Sequence, residues 1–375
     1  MSGPLEGLRI VEIGEGPAIA YAGRNLADMG AEVVKVEPPE GDGIRRWPSP
    51  VVEGAPAVFH ALNRGKASVV LDLASNRDRD VLAKLLATAD GAIDGTIAGD
   101  VRALAPAAAV PRLVVARVTG YGDGVASDVP WHEATIQAES GWLAINGRPD
   151  FDPVRSGLHM ASVSAGASAV QAMLAALIAR EDDGLGDDAE IALYDQAVVI
   201  SYHYAMQFLV NGERPKRYGN GSPAAQPLGV FAASDGEFQM TVAGDRVWKR
   251  FAEHVLDRPD LIDDPRYASN ADRVRNLDEL FGMIVPLFKT KSRDHWIAKM
   301  KAGNVPGGPI RTIDEAIVCP ESVERGLIVS AEQGGGVPSI RNPLRFAGTP
   351  LADPRPAPAL GVGGDEMTKQ WGDAS

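Results

Sequence analysis

The stretch PLEGLRIVEIGEGPAIAYAGRNLADMGAEVVKVEPPEGD, Pro4 to Asp42, constrains the fold of this chain more than any other. Leu8 to Ile13 reads as a strand, Gly14 and Gly16 as a loop, and Pro17 as the start of a helix that ends near Gly30. Proline suits the first helical turn, where its missing N–H has no intrahelical acceptor anyway. Glu32 to Val36 reads as a second strand. Two apolar strands this closely spaced around a helix predict a parallel βαβ unit buried on both faces. A glycine turn entering a helix presents backbone N–H groups to a phosphate. The GxGxxG spacing of dinucleotide sites is absent, so the stretch starts a Rossmann-like domain without an NAD site.

The chain has 375 residues, 45% of them hydrophobic, enough for a large core and more than one domain. Its formal net charge of −13 excludes nucleic acid as a partner class, because such binding rests on Lys and Arg at phosphates. It does not exclude an anionic small ligand held by a local basic cluster. The one cysteine, Cys319, allows neither an internal disulfide nor a cysteine metal cluster, which fits a reducing cytosol. The N-terminus shows no cationic segment followed by an apolar stretch, and no run approaches the roughly 20 apolar residues of a membrane span. The expectation is a soluble cytoplasmic protein with no membrane partner, no metal and no permanently bound cofactor.

Further along, the basic turn Asn63 to Lys66 leads into a strand, Ser68 to Leu73. Ser75 caps a helix over Arg77 to Thr88, and Leu113 to Val118 is a strand ending in TGYG, Thr119 to Gly122. Alternating β and α elements predict a mostly parallel sheet with ligand sites beyond the carboxyl ends of its strands. The basic turn and TGYG are placed for that role, or are ordinary solvated loops. His132 to Trp142 reads as a helix, and Ser164 to Arg180, rich in alanine, as a core helix. Residues 201–226 read as a linker. The Asp235-Gly236 turn joins two strands in a hairpin. Helices over Arg246 to Leu256, Leu277 to Phe288 and Ser292 to Lys301 complete a smaller α+β domain, 227–319. The first domain, 1–200, is then completed by 320–375, read as extended coil and short strands.

Taken together, PLEGLRIVEIG, LADMGAEVVKVEPPEGD, LNRGK, SVVLDL, TGYG, YGNGSPAAQP, DDPRYASNADRVRN and FAGTPL resemble the family III CoA-transferases across more than 300 residues. That family also holds formyl-CoA transferase, the carnitine-type CoA-transferases and the α-methylacyl-CoA racemases. The resemblance implies an α/β fold with a Rossmann-like large domain and a smaller α+β domain, in an interlaced dimer. Its substrates are an acyl-CoA and a carboxylic acid, and it pairs either two identical chains or two paralogues. By position in the family, Ala18, Arg45, Lys66, Leu71, Leu73 and Gly120 fall where relatives contact coenzyme A. Lys66 and Arg45 suit its phosphates as cationic donors, and each is equally readable as a solvated surface cation. Leu71 and Leu73 are equally readable as sheet core.

Ser162 occupies the position where transferase relatives carry an aspartate. That carboxylate attacks the thioester to form a mixed anhydride, which keeps the acyl group activated, whereas serine would form an ordinary ester. No Asp or Glu lies between Asp152 and Glu181 to replace it. In the racemase branch a histidine, here His132, and the same aspartate flank the α-carbon. Glu133 matches an acidic position, and Asp245 matches another that would orient His132 or serve as a helix N-cap. A Ser162–His132 nucleophile–base pair would give thioesterase chemistry. The loop GTIAG, Gly95 to Gly99, lacks the Asn, aromatic and cation of the relatives' Asn-Phe-Arg-Pro-Gly loop, and Arg102 is near enough to restore the charge. The resemblance therefore implies a CoA-transferase, with a racemase-like enzyme or a non-catalytic subunit paired with an active paralogue as alternatives.

Overall fold

The opening βαβ unit forms as expected: β1 (Arg9–Gly14), α1 (Pro17–Asp28) and β2 (Glu32–Glu37) follow in order. Strand β2 lies parallel to β1, with Val11 beside Val34. A computed structural model describes residues 3–96, 100–124, 129–222, 225–351 and 354–373. Within it the chain divides into two compact units. The first holds Met1–Trp142, Arg155–Asn211 and Cys319–Ser375, and the second Leu143–Val154 and Gly212–Val318. Several limits differ from the sequence expectation: Gly212 onward of the supposed linker lies in the second unit, and Cys319 in the first. Residues 143–154 join the second unit, and the first half of the supposed linker is a helix of the first.

The first unit continues with β3 (Ala67–Val70), α2 (Asn76–Thr88), β4 (Gly91–Gly95), β5 (Val114–Thr119), α3 (Glu133–Glu139), α4 (Met160–Asp183), β6 (Asp188–Ala192), α5 (Leu193–Ile200) and α6 (Tyr202–Asn211). The six strands of its main sheet are all parallel, in the order β3-β2-β1-β4-β5-β6. Ile10, Val11, Val33, Val34, Ile93 and Val114 are fully enclosed, as a sheet covered on both faces requires. One face packs on α1 and α4. The other packs on α2 and on a C-terminal helix, Gly364–Asp373, whose Trp371 is buried among Leu82, Leu85 and Val36. That helix corrects the expected coil ending. Its apolar face is only Met367 and Trp371, one helical turn apart, in an otherwise polar segment too short to stand out as a helix.

Helix α4 starts a turn earlier than its sequence predicts, for a nonlocal reason. His159 occupies its N-cap position without a side-chain hydrogen bond. The first N–H groups are instead received by Glu133, from α3. Small residues let α1 and α4 approach closely: a methyl group at Gly166 would lie 2.5 Å from the Ala18 carbonyl oxygen. By length and composition α4 could cross a membrane, contrary to the reading that no such run exists. Half of its most apolar stretch is buried in the unit, however, as in a core helix.

In the second unit the Asp235-Gly236 turn joins β7 (Leu228–Ala232) and β8 (Glu237–Thr241), and Gly307–Pro309 adds a third antiparallel strand. Trp248, Phe251, Phe288 and Trp296 form its core. The motif DDPRYASNADRVRN supplies Arg273, fully buried, whose guanidinium donates to the carbonyls of Gln226 (3.0 Å) and Tyr267 (2.8 Å). It also pairs with Asp245 at 2.9 Å.

Candidate active site

Strand order reverses between β1 and β4, and in open parallel sheets a crevice opens outside the carboxyl ends at such a point. A cleft of about 530 Å³ lies there, lined by Gly14 after β1, Gly95 after β4, and the ends of α3 and α4. Ser162, in the first turn of α4, and Glu133, in the first turn of α3, both face it.

Glu133 is 6% exposed, and both carboxylate oxygens are fully engaged. Oε1 accepts from Gln137 Nε2 (2.8 Å) and the Ala161 N–H (3.1 Å). Oε2 accepts from the Ser162 N–H (2.9 Å) and the Ser162 hydroxyl (2.6 Å). Burial pushes this carboxyl up, but the hydrogen bonds from Gln137, Ser162 and Ala161 outweigh it and hold it below the ordinary glutamate value. The carboxylate also meets the positive end of the α4 dipole. Glu133 is therefore an anchored cap, and Ser162 spends its proton on it. The Ser162–His132 nucleophile–base pair does not form.

His132 lines the same cleft as the N-cap of α3. Its Nδ1 accepts from the Ala134 N–H at 3.2 Å, so the neutral ring carries its proton on Nε2 and its basic nitrogen is occupied. Several lining residues were not singled out from the sequence, His159 and Glu15 among them. His159 stacks on Trp47 with ring centroids 5.5 Å apart, and its Nδ1 is buried without a hydrogen-bond partner among the described residues. The available signal was its place one helical turn before Ser162. Glu15 stands between two glycines at the carboxyl end of β1.

A second cleft, of about 300 Å³, is lined by Leu71 and Leu73 and shares Gly14, Glu15, Asp42 and Thr96 with the first. Gly120 acts indirectly: a methyl group there would lie 2.3 Å from the Trp131 ring, which lines the larger cleft.

A model of CoA-transferase family III matches residues 5–363. The chain belongs to CoA-transferase family III. It is 35% identical to the succinate–glutarate CoA-transferase of Agrobacterium fabrum, over 96% of this chain and 93% of that one. It is 29% identical to the acetyl-CoA:oxalate CoA-transferase of Acetobacter aceti, over 98% and 96%. The crystal structure of a CAIB/BAIF family protein from Brucella suis superposes with a TM-score of 0.86 at 31% identity, covering 99% of this chain and all of that one.

In this family III chain the cations expected at coenzyme A are already engaged by protein groups. Arg45 grips Glu37 through two nitrogens, each at 2.7 Å, and lies over the Phe59 ring. Lys66 is enclosed, with Glu12 at 2.6 Å, Asn63 at 2.8 Å and the Ala20 carbonyl at 2.9 Å. Ala18 is buried in the α1–α4 contact. Arg102 pairs with Asp188, and residues 97–99 of the loop it was read to compensate lie outside the described residues. Asp245 belongs to the second unit, where it is the first residue of its helix and pairs with Arg273 rather than capping. Replacing Arg102 by alanine should lower stability by about 1–3 kcal/mol, because its guanidinium also donates to the Leu113 carbonyl at 2.9 Å, and leave the KM for acyl-CoA unaltered. A several-fold rise in KM would return Arg102 to the binding site.

Proposed function

We propose that this protein transfers coenzyme A between an acyl-CoA and a carboxylic acid, at the cleft beyond β1 and β4, as one subunit of an interlaced dimer. The observation that carries this reading is the meeting of the two clefts at the switch point of the sheet. The narrower one offers Leu71 and Leu73 to the apolar part of a pantetheine arm, and the wider one offers room for an acyl group beside Ser162. The strand order, that of doubly wound dinucleotide-binding sheets, supports the Rossmann-like description. The relatives named for succinate, glutarate and oxalate make short dicarboxylic acids the acceptors to try first. With serine where transferase relatives carry aspartate, residue 162 is not the nucleophile of anhydride chemistry. Its hydroxyl serves to hold Glu133 and the N-terminus of α4.

The test is mass spectrometry of the purified protein with acyl-CoAs and free carboxylic acids in D2O. A new acyl-CoA formed at the expense of the first is the expected result. Deuterium at the α-carbon without acyl exchange would replace this reading with a racemase-like one, and neither product, with coenzyme A bound, would make the chain a partner subunit.

The dimer rests on α6, which has no buried residue and leaves Tyr202, Leu209 and Val210 68–76% exposed. A second copy would cover such a face. Leu209→Asp with Val210→Asp should convert a dimer into a monomer in light scattering. An unchanged dimer would place the interface elsewhere.

A further inference from the structure

From the placement of the carboxylates in the two clefts we infer that Glu15 is the catalytic nucleophile of this chain, in place of the carboxylate missing at position 162. The inference rests on the transferase reading above and names the group that performs it.

Three carboxylates line the larger cleft: Glu15, Asp42 and Glu133. Glu133 is saturated by four donors. Asp42 is fully buried, 2.7 Å from Lys35 Nζ, and accepts from the Ile44 N–H at 2.7 Å. Glu15 is different. It stands on the loop after β1, is supported by the Gly43 N–H, and enters none of the ion pairs found among the described residues. Partial desolvation in the cleft and the neighbouring Asp42 raise its carboxyl above the ordinary value, against the pull of Gly43, Arg46 and Lys35, while the residue as a whole stays exposed to an incoming substrate. A more basic carboxylate with free lone pairs is the better nucleophile. Its position fits as well. Glu15 and Asp42 are the two carboxylates common to both clefts, and the junction is where a thioester between a pantetheine arm and an acyl group would lie.

The chemistry balances without a co-reactant. A Glu15 oxygen bonds to the acyl carbonyl carbon, the C–S bond breaks, and the electron pair leaves on the coenzyme A thiolate. The thiolate then attacks the Glu15 carbonyl carbon of the anhydride and expels the first acid as its carboxylate. The acceptor carboxylate attacks the resulting glutamyl thioester, releasing the thiolate and forming a new anhydride. Attack of the thiolate on the acceptor carbonyl gives the new acyl-CoA and returns Glu15 as a carboxylate. The bridging oxygen of that last anhydride, which came from the acceptor, stays on Glu15.

The test follows that oxygen. The wild-type protein is incubated with an acyl-CoA and an acceptor acid carrying heavy oxygen in both carboxylate positions, then digested and analysed by mass spectrometry. The expected result is heavy oxygen in the peptide containing Glu15, one atom after a single turnover and up to two after many, and loss of exchange by about a thousandfold or more in Glu15→Gln. Circular dichroism and retained coenzyme A binding show that the variant is folded. Exchange by the wild type with no label on Glu15, or with the label on another residue, overturns this assignment and leaves the transferase reading standing. No exchange at all takes down both.

Discussion

Replacing Glu12 by leucine should lower the stability of the first unit by about 3–5 kcal/mol, the cost of breaking a buried ion pair from one side. Glu12 sits at the centre of an enclosed network. Its Oε1 is 2.8 Å from Lys35 Nζ and its Oε2 is 2.6 Å from Lys66 Nζ, with all three side chains no more than 1% exposed. Asp42 still compensates Lys35 in the variant, at 2.7 Å, but Lys66 is left with neutral acceptors only. Adding Lys66→Met should recover a large part of the loss, because the uncompensated charge is then gone. Urea unfolding of the four proteins of this cycle measures it. If Lys66→Met alone costs little and chiefly raises the KM for acyl-CoA, Lys66 is a ligand residue and the network is incidental.

The same lysine sets a pH signature. Burial, helped by Lys35 and opposed by Glu12, lowers Lys66 from 10.5 to about 8. The folded state then binds fewer protons than the unfolded state between about pH 8 and 10.5, so this group makes stability rise with pH across that window. Below the window its contribution is lost. Lys35, held above its ordinary value despite burial by Glu12 and Asp42, makes a contribution lost only at still higher pH. Unfolding free energies at several alkaline pH values should show the rise in the wild type and not in Lys66→Met. Equal slopes in the two proteins would sink the argument.

Glu133→Ala should have an effect of similar size by a different route. It leaves the N–H groups of Ala161 and Ser162 and the Ser162 hydroxyl without their acceptor, while Gln137 Nε2 keeps the Leu158 carbonyl at 3.1 Å. At roughly 1–3 kcal/mol for a buried donor left unsatisfied, a total of about 3–5 kcal/mol follows after water reaches some of them. Since the folded carboxyl is held below its ordinary value, its contribution is fully present above the unfolded pKa and disappears as pH falls through the lower folded one. Glu133→Gln should remove that acid-side loss. Acid titrations of unfolding in the two proteins check it, and an unchanged acid limb in Glu133→Gln would show that another group carries it.

How much of this was legible in the sequence follows from how local each signal is. The βαβ start, the parallel strands and the Asp235-Gly236 hairpin rest on apolar periodicity, glycine and proline, which act within a few residues, and these elements stand where they were expected. The family was legible for a related reason: its motifs keep their order along the chain. The site was legible only in part. Ser162, His132 and Glu133 lie in one cleft, as their motifs implied. The carboxylates Glu15 and Glu133 were visible as residues but not as alternatives, because no carboxylate close to Ser162 in sequence marks either one. They come to its cleft through the crossover of a parallel sheet and through the docking of α3 on α4. The cations were misleading for the same reason. Lys66, Arg45 and Arg102 look free along the chain, and only packing reveals that Glu12, Glu37 and Asp188 already neutralise them. Charge pairing is decided by distance in space, which a one-dimensional pattern does not contain. The sequence alone thus determined the fold class and the family, while the tertiary structure decided which carboxylates and cations are already engaged by protein groups.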